Sequence, residues 1–313
     1  INIKSIFIFM RKILLLLLYL ELSNCFAPFM CLNSNLPKNI NFKTNINSYL
    51  TLSRAKNIPF EFMLPITGSY IATHNVNVFY NPEILLLGLL SVLIGSNSMI
   101  INDYFDYICG VDKYKDWKVL NKGLLKSEEV LRASYLLNVI NIILISLINN
   151  TNARIILSSS ILFSYIYTPL IKPILLLKNI GVALTITQSI IIGGIIVDKS
   201  IINILKPVIY IFNIIMWQEI ILDILDKKSD KEENIKTIPV VYGTNISKKI
   251  AFIFLLIATL VPYGISSPIF ILLQSPLLYS NLRSIIFKNK INKKIINVGS
   301  IVVLLSGIHM CIL

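Results

Sequence analysis

Charge is what this 313-residue sequence has least of: Asp, Glu, Lys and Arg make up 14% of it, against about 25% in a soluble domain. With 55% hydrophobic residues and a mean hydropathy of +0.73, that scarcity excludes an ordinary soluble globular enzyme. Cysteine is also rare. Of the four, Cys25 and Cys31 lie near the start, while Cys109 and Cys311 are isolated and far apart, so neither a disulfide framework nor a zinc-ligand spacing is present. The two histidines, His74 and His309, read as packed or interfacial side chains, and the two tryptophans, Trp117 and Trp217, as an interfacial belt. Acidic residues are outnumbered 16 to 29, for a formal net charge of +13. In a soluble chain that balance would suggest nucleic acid; here its distribution along the sequence argues for no nucleic-acid partner.

The apolar residues come in long runs that recur to the C-terminus, the pattern of a polytopic all-α membrane protein in a lipid bilayer. After Asn57, about nine transmembrane helices are expected, over 60–79, 83–103, 129–148, 153–170, 176–197, 205–226, 248–265, 268–283 and 295–313. Prolines 59, 82, 173, 207 and 268 stand near proposed starts, where a missing donor is tolerated. Prolines 65, 169, 262 and 276 fall inside spans or near their ends and predict kinks. Of 22 Lys and Arg in residues 58–313, 18 lie after the second, fourth, sixth and eighth spans and three in the other loops. By the positive-inside rule the first set faces the cytoplasm or its organellar equivalent, which accounts for the net charge.

Met10-Arg11-Lys12 and the short apolar run Ile13–Leu20 have the layout of a secretory signal, and Cys31 to Asn57 is rich in Asn, Ser, Thr and Lys with no Asp or Glu, as in a transit segment. The combination resembles the bipartite leader of plastid proteins in algae with complex plastids, and Phe26-Ala27-Pro28 resembles their cleavage context. Residues 1–57 are therefore expected to be a leader and 58–313 the membrane domain. The expected location is a plastid membrane, with the positively charged side toward the stroma. A plain signal peptide or anchor is the alternative.

Acidic residues gather on that same side. At the end of the second span, Asn102, Asp103 and Asp106 are spaced to share one helical face, and Gly110 is placed to end the helix and turn Asp112 back toward it. The sixth span ends in Glu219, Asp223, Asp226 and Asp230, spaced four, three and four, a continuous acidic stripe about three turns long. Lysines trail both: 113, 115, 118, 122 and 126 after the first, 227, 228, 231 and 236 after the second. Carboxylates inside apolar helices cost a few kcal/mol each on insertion scales. Paired ones suit Mg²⁺, which takes hard oxygen ligands and completes its shell with water and substrate phosphates. Two such clusters could hold one diphosphate, lysines neutralising what the metal leaves uncovered. Were the diphosphate that of an allylic isoprenoid, its departure would leave an allyl cation that an apolar bundle shields from water, with Phe163, Tyr165, Tyr167, Tyr210 and Phe212 available to face it. Simple salt bridging between the acids and the lysines is the plain alternative.

Taken together, these residues resemble the UbiA superfamily of membrane-embedded prenyltransferases. Asn102, Asp103 and Asp106 match its first motif and Asp223, Asp226 and Asp230 its second. Thr237–Gly243 resembles the segment that follows, and Tyr165–Lys172 its aromatic and lysine stretch. The resemblance implies nine helices around a central apolar cavity. It also implies Mg²⁺-dependent transfer of a prenyl group (geranylgeranyl, phytyl or longer) from its diphosphate to an aromatic acceptor. It gives Asp103, Asp106, Asp223 and Asp226 catalytic roles, the metal being held by these with Asp112 and Asp230. Asn102, Lys113, Lys122, Lys126, Lys172 and Lys227 would bind diphosphate, and Tyr165 and Tyr167 the prenyl chain.

Gly110 stands where the common motif has its last aspartate, a form resembling the branch that acts on dihydroxynaphthoate. A prenylquinone pathway using dihydroxynaphthoate or homogentisate is the expectation, with chlorophyllide prenylation as the alternative. Lys122, in Asn121–Lys126, replaces the family's arginine and cannot reproduce its bidentate phosphate contact, so looser diphosphate binding or a different acceptor is expected. A prenyl-lipid binder without catalysis and a cation-coupled transporter are the competing classes. The transporter would need its carboxylates near the bilayer midplane.

Overall fold

The computed structural model describes residues 42–110, 115–197, 201–232, 235–264, 266–287 and 291–312. The chain divides into Ile1–Phe42 and Lys43–Leu313, and the second unit holds the membrane helices. Most of the expected leader lies outside the described residues, as do Asp112 and Lys113.

Every regular element among the described residues is helical: α1 Phe42–Leu52, α2 Ile58–Thr73, α3 Pro82–Ile108, α4 Ser127–Ser146, α5 Thr151–Ile166, α6 Leu177–Val197, α7 Leu205–Glu232, the short α8 Ile238–Tyr242, α9 Thr244–Thr259, α10 Pro268–Ile286 and α11 Lys294–Ile312. Eight helical segments are long and apolar enough to cross a bilayer, and the protein is a multi-pass membrane protein. The first expected span is the exception. At 16 residues, α2 is as short as α5 and α9, but those two run on into π-helical turns that lengthen them to 21 and 20 residues, whereas α2 ends at Thr73 before a 3₁₀ segment, Val76–Tyr80.

Local chemistry sets several helix starts. Asn81 Oδ1 accepts from the backbone N–H groups of Glu83 and Ile84, with Pro82 leading α3; Asn150 Oδ1 accepts from Ala153 N–H at α5; Ser267 Oγ accepts from Phe270 N–H behind Pro268 at α10. Each satisfies donors that the first turn leaves free. Gly110 ends the α3 run with φ +70°, the left-handed position that glycine takes without a Cβ clash. Pro65 and Pro276 sit inside helices. Pro169 and Pro262 instead lie in π-helical turns, Tyr167–Ile171 and Leu260–Gly264, where the wider turn absorbs the missing donor.

The helices close on themselves. Beginning with α2, which packs on α3 and α6, contact runs from α6 to α7, α7 to α9, α9 to α10 and α10 to α11, and α11 returns to α2 and α7. On the other side α3 meets α4 and α5. The main core follows α7, where Trp217, Tyr210 and Ile214 are fully buried. Trp217 is thus not part of an interfacial belt: its Nε1 donates to Asn281 Oδ1 at 3.1 Å, and Gly299 leaves room for its ring. Trp117 is 69% exposed. His309 is packed, its Nε2 2.8 Å from Ser267 Oγ, and His74 caps α2 in a left-handed conformation. The outward faces of α4, α10 and α11 carry Leu136, Ile142, Leu272 and Leu304, all well exposed, as helices that face lipid require.

The segment before residue 58 folds with this unit. Leu52 of α1 is buried with Ile100, Val119, Leu120, Leu125 and Val130, and Tyr49 donates to the Glu129 carbonyl at 3.4 Å. Residues 43–57 therefore pack with the membrane helices. Their Asn- and Lys-rich composition hides the apolar positions that do it.

Helices α2 and α6 meet backbone to backbone. A Cβ at Gly193 would lie 1.9 Å from the Pro65 carbonyl oxygen, one at Gly68 2.3 Å from that of Ile190, and Ser69 Oγ donates to Gly193 O at 2.7 Å. Small residues let membrane helices meet backbone to backbone. Gly193→Val is expected to destabilise the bundle by at least about 1–3 kcal/mol, while Gly307→Ala, with nothing within 4 Å of the added methyl, leaves it unchanged. Thermal unfolding in detergent compares the two; equal melting temperatures would refute this helix contact.

Candidate active site

Two ion-paired carboxylate clusters form at the ends of α3 and α7. In the first, Asn102 Nδ2 donates to Asp106 Oδ2 at 3.2 Å, placing both on one face as their spacing requires. Lys118 Nζ reaches Asp103 Oδ1 at 2.7 Å and Asp106 Oδ2 at 3.6 Å, Lys172 Nζ pairs with Asp106 Oδ1, and Arg54 lies 3.9 Å from Asp103. Asp106 is 2% exposed, so its charge requires these partners.

The π-helical turn after α5 supplies one side of this cluster. Lys172 N–H bonds to the Tyr167 carbonyl, five residues back, at 2.8 Å. On this turn Thr168 Oγ1 donates to Asn102 Oδ1 at 2.9 Å and Lys172 meets Asp106. Pro169 within the turn cannot extend an α-helical ladder, so the break is written into the sequence.

In the second cluster Asp223, 2% exposed, accepts from Lys178 Nζ at 2.6 Å and from Asn179 Nδ2 at 2.9 Å. Asp230 is buried, its Oδ2 without a hydrogen-bond partner among the described residues. Asp226 is exposed. At about 100° per residue, Asp223 and Asp230 differ by roughly 20° around the helix and Asp226 by roughly 60° from Asp223, so the stripe divides into an inward pair and one outward residue.

Other candidates stand elsewhere. Lys122 and Lys126 are exposed, the latter at the N-cap of α4 with its backbone N–H donating to Glu129. Lys227 Nζ lies 3.4 Å from Thr244 Oγ1. Tyr165 joins a network facing α4, receiving a hydrogen bond from Asn138 and lying 2.9 Å from Ser134 Oγ. Tyr167 packs on Phe163, ring centroids 5.8 Å apart. Sequence reasoning passed over Lys178, Asn179, Thr168 and Arg54 and did not single out Lys118 from its neighbours. Lys178-Asn179 at the start of an apolar span on the basic side was the available signal.

Beside the clusters lies a cavity of about 410 Å³. It is walled by α2, α3, α5, α6, α7 and α11, and reaches Met99, one turn before Asp103, and Gln218, just before Glu219. Its wall mixes apolar side chains with hydroxyls and amides, and among the described residues Phe60 is its one aromatic.

The donors suit a hard cation. Asp103, Asp106, Asp223 and Asp230 offer oxygen alone, and Asp230 has an unused buried oxygen. No three acidic, His or Cys side chains among the described residues converge enough to hold a metal unaided. Mg²⁺ is typically held by one or two carboxylates and completes its shell with waters and phosphate oxygens.

Comparison with known proteins places this geometry. The UbiA prenyltransferase family model matches residues 62–295. Digeranylgeranylglyceryl phosphate synthase of Methanosphaera stadtmanae is 29% identical over 245 residues, 77% of this chain and 82% of that protein. A solved digeranylgeranylglyceryl phosphate synthase structure aligns with TM-score 0.66 and 21% identity over 85% of this chain and 97% of that one. A UbiA homologue from Archaeoglobus fulgidus, solved bound to GPP and Mg²⁺, aligns with TM-score 0.60 and 16% identity over 85% and 100%. The synthases are named for a glyceryl phosphate product, which differs from the aromatic-acceptor branch expected from the first motif.

The Lys178–Asp223 pair yields a direct test. Lys178→Met should destabilise the protein by about 3–5 kcal/mol, as expected when a buried pair loses one partner, and adding Asp223→Asn should recover most of the loss. Denaturation of both variants in detergent measures this; a single variant as stable as the wild type would contradict the pairing.

Proposed function

This chain belongs to the UbiA prenyltransferase family, and from that premise we propose that it transfers a geranylgeranyl-class prenyl group from its diphosphate to the free hydroxyl of a glyceryl phosphate lipid. Support for this acceptor comes from the name of the relatives and from the cavity beside the acid clusters, whose wall offers hydroxyls and amides and little aromatic surface.

In this reading Asn102, Asp103 and Asp106 from one side and Asp223, Asp226 and Asp230 from the other hold the diphosphate through Mg²⁺, with Asp112 among the ligands. When bound, Mg²⁺ neutralises the oxygens of the departing diphosphate. Lys118, Lys172 and Lys178 already lie on the carboxylates. They turn to the diphosphate when it arrives and carry the charge that builds as the bond to the prenyl carbon breaks. Lys113, Lys122, Lys126 and Lys227 are available from the flanking loops. The apolar part of the wall excludes water from the prenyl cation, and Tyr167 stands near the diphosphate end.

An aromatic acceptor, dihydroxynaphthoate or homogentisate, is the second reading, favoured by the Gly110–Asp112 form of the first motif. A plastid membrane with the acid clusters toward the stroma belongs to the proposal through the composition of residues 1–57; the archaeal relatives offer no parallel for it.

The full chain in lipid nanodiscs, given Mg²⁺ and geranylgeranyl diphosphate, is tested against geranylgeranylglyceryl phosphate, dihydroxynaphthoate, homogentisate and chlorophyllide. Mass spectrometry is expected to find prenyl mass on the glyceryl phosphate, abolished by EDTA and lowered about 100-fold or more by Asp103→Asn or Asp226→Asn. Product on an aromatic acceptor alone would favour the second reading. Full activity in both variants would overturn the metal assignment.

A further inference from the structure

Glu61 is the one carboxylate among the residues that wall the cavity. It stands on α2 one turn past Asn57, and its Oε2 is buried with no hydrogen-bond partner among the described residues. Asp103, Asp106 and Asp223 are each paired with lysine; Glu61 makes no ion pair among the described residues. Facing it, α3 carries Gly95, where an ideal Cβ would come within 2.8 Å of Glu61 Oε2. The glycine thus clears the space the carboxylate occupies. A carboxylate at this depth is costly in an apolar bundle, and as a packing residue Glu61 gains nothing that would offset the cost.

Prenyl transfer to a hydroxyl leaves one proton unassigned. As the prenyl C1–oxygen bond breaks, its electron pair departs with the diphosphate. The acceptor hydroxyl oxygen then gives a pair to C1 and forms the ether bond, and its proton must leave. The aspartates beside the diphosphate are committed to metal and lysines. We propose that Glu61 is the catalytic residue that receives this proton, so that the acceptor binds with its reacting hydroxyl toward α2 and the prenyl chain lies on the opposite wall. The assignment rests on the reading of the chain as a prenyltransferase and specifies which acceptors the cavity takes: those with an ionisable or hydroxylic hydrogen presented at Glu61. Lys56, at the cavity's α2 end, meets an anionic group on the same acceptor.

The test uses the full chain in nanodiscs with Mg²⁺, geranylgeranyl diphosphate and geranylgeranylglyceryl phosphate. Glu61→Gln is expected to lower kcat about 100-fold or more, the scale of losing a general base, while the Kd for geranylgeranyl diphosphate stays within threefold of wild type. Glu61→Asp, which keeps the carboxylate, should recover part of the rate. Raising the pH should recover part of the Glu61→Gln rate as solvent base takes over, which a purely structural role would not produce. Wild-type transfer with an undiminished Glu61→Gln kcat would overturn the assignment alone, as would loss of diphosphate binding in step with kcat. Wild-type transfer to an aromatic acceptor alone in the four-acceptor assay would remove the glyceryl phosphate reading, and this assignment with it.

Discussion

Carboxylates at the ends of apolar helices must be neutralised, and much of this structure follows from that need. Asp106 and Asp223 are each 2% exposed, on the two longest of the described helices. Burying charge without a partner costs several kcal/mol. Lys118 and Lys172 answer Asp106, and Lys178 with Asn179 answers Asp223. These partners come from the α3–α4 loop, the π-helical turn after α5 and the start of α6. Electrostatic demand thus ties these three parts of the chain to the acid-bearing ends of α3 and α7.

Helix packing keeps the clusters fixed over the cavity. Backbone contact of α2 with α6 at Gly68 and Gly193 fixes the helix carrying Glu61 against the one whose first turn carries Lys178. The Tyr167–Ile171 turn, forced open by Pro169, places Thr168 and Lys172 against the first motif where a continuous α-helix would carry them past it. Polar side chains in the cavity wall then separate a binding chamber from the lipid-facing shell, whose exposed leucines and isoleucines carry no such groups.

Much of this was legible in the sequence because it depended on period and charge. Apolar runs gave the all-α bundle, the spacing of Asn102, Asp103 and Asp106 their common face, and Gly110 the helix end. What escaped depended on contacts between distant segments. Lys178-Asn179 at the start of an apolar span marks a polar pair, but its partner Asp223 lies 45 residues away and only the fold joins them. Trp217 has the composition of a belt residue, and only its hydrogen bond to Asn281 makes it a core one. The aspartate spacing at 223, 226 and 230 implied one face, yet the 60° offset of the middle residue sends it outward. Arg54 and Lys56 were hidden in a stretch whose composition matched a leader.

The central claim is that the two motifs act on a single diphosphate, and a double-mutant cycle on binding tests it most directly. Mg²⁺-dependent binding of geranylgeranyl diphosphate would be measured for Asp106→Asn, Asp223→Asn and the pair in nanodiscs. A shared site predicts strong loss in either single variant and little further loss in the double, the signature of groups that act as a unit. Binding that survives either substitution, or two losses that simply add, would contradict it.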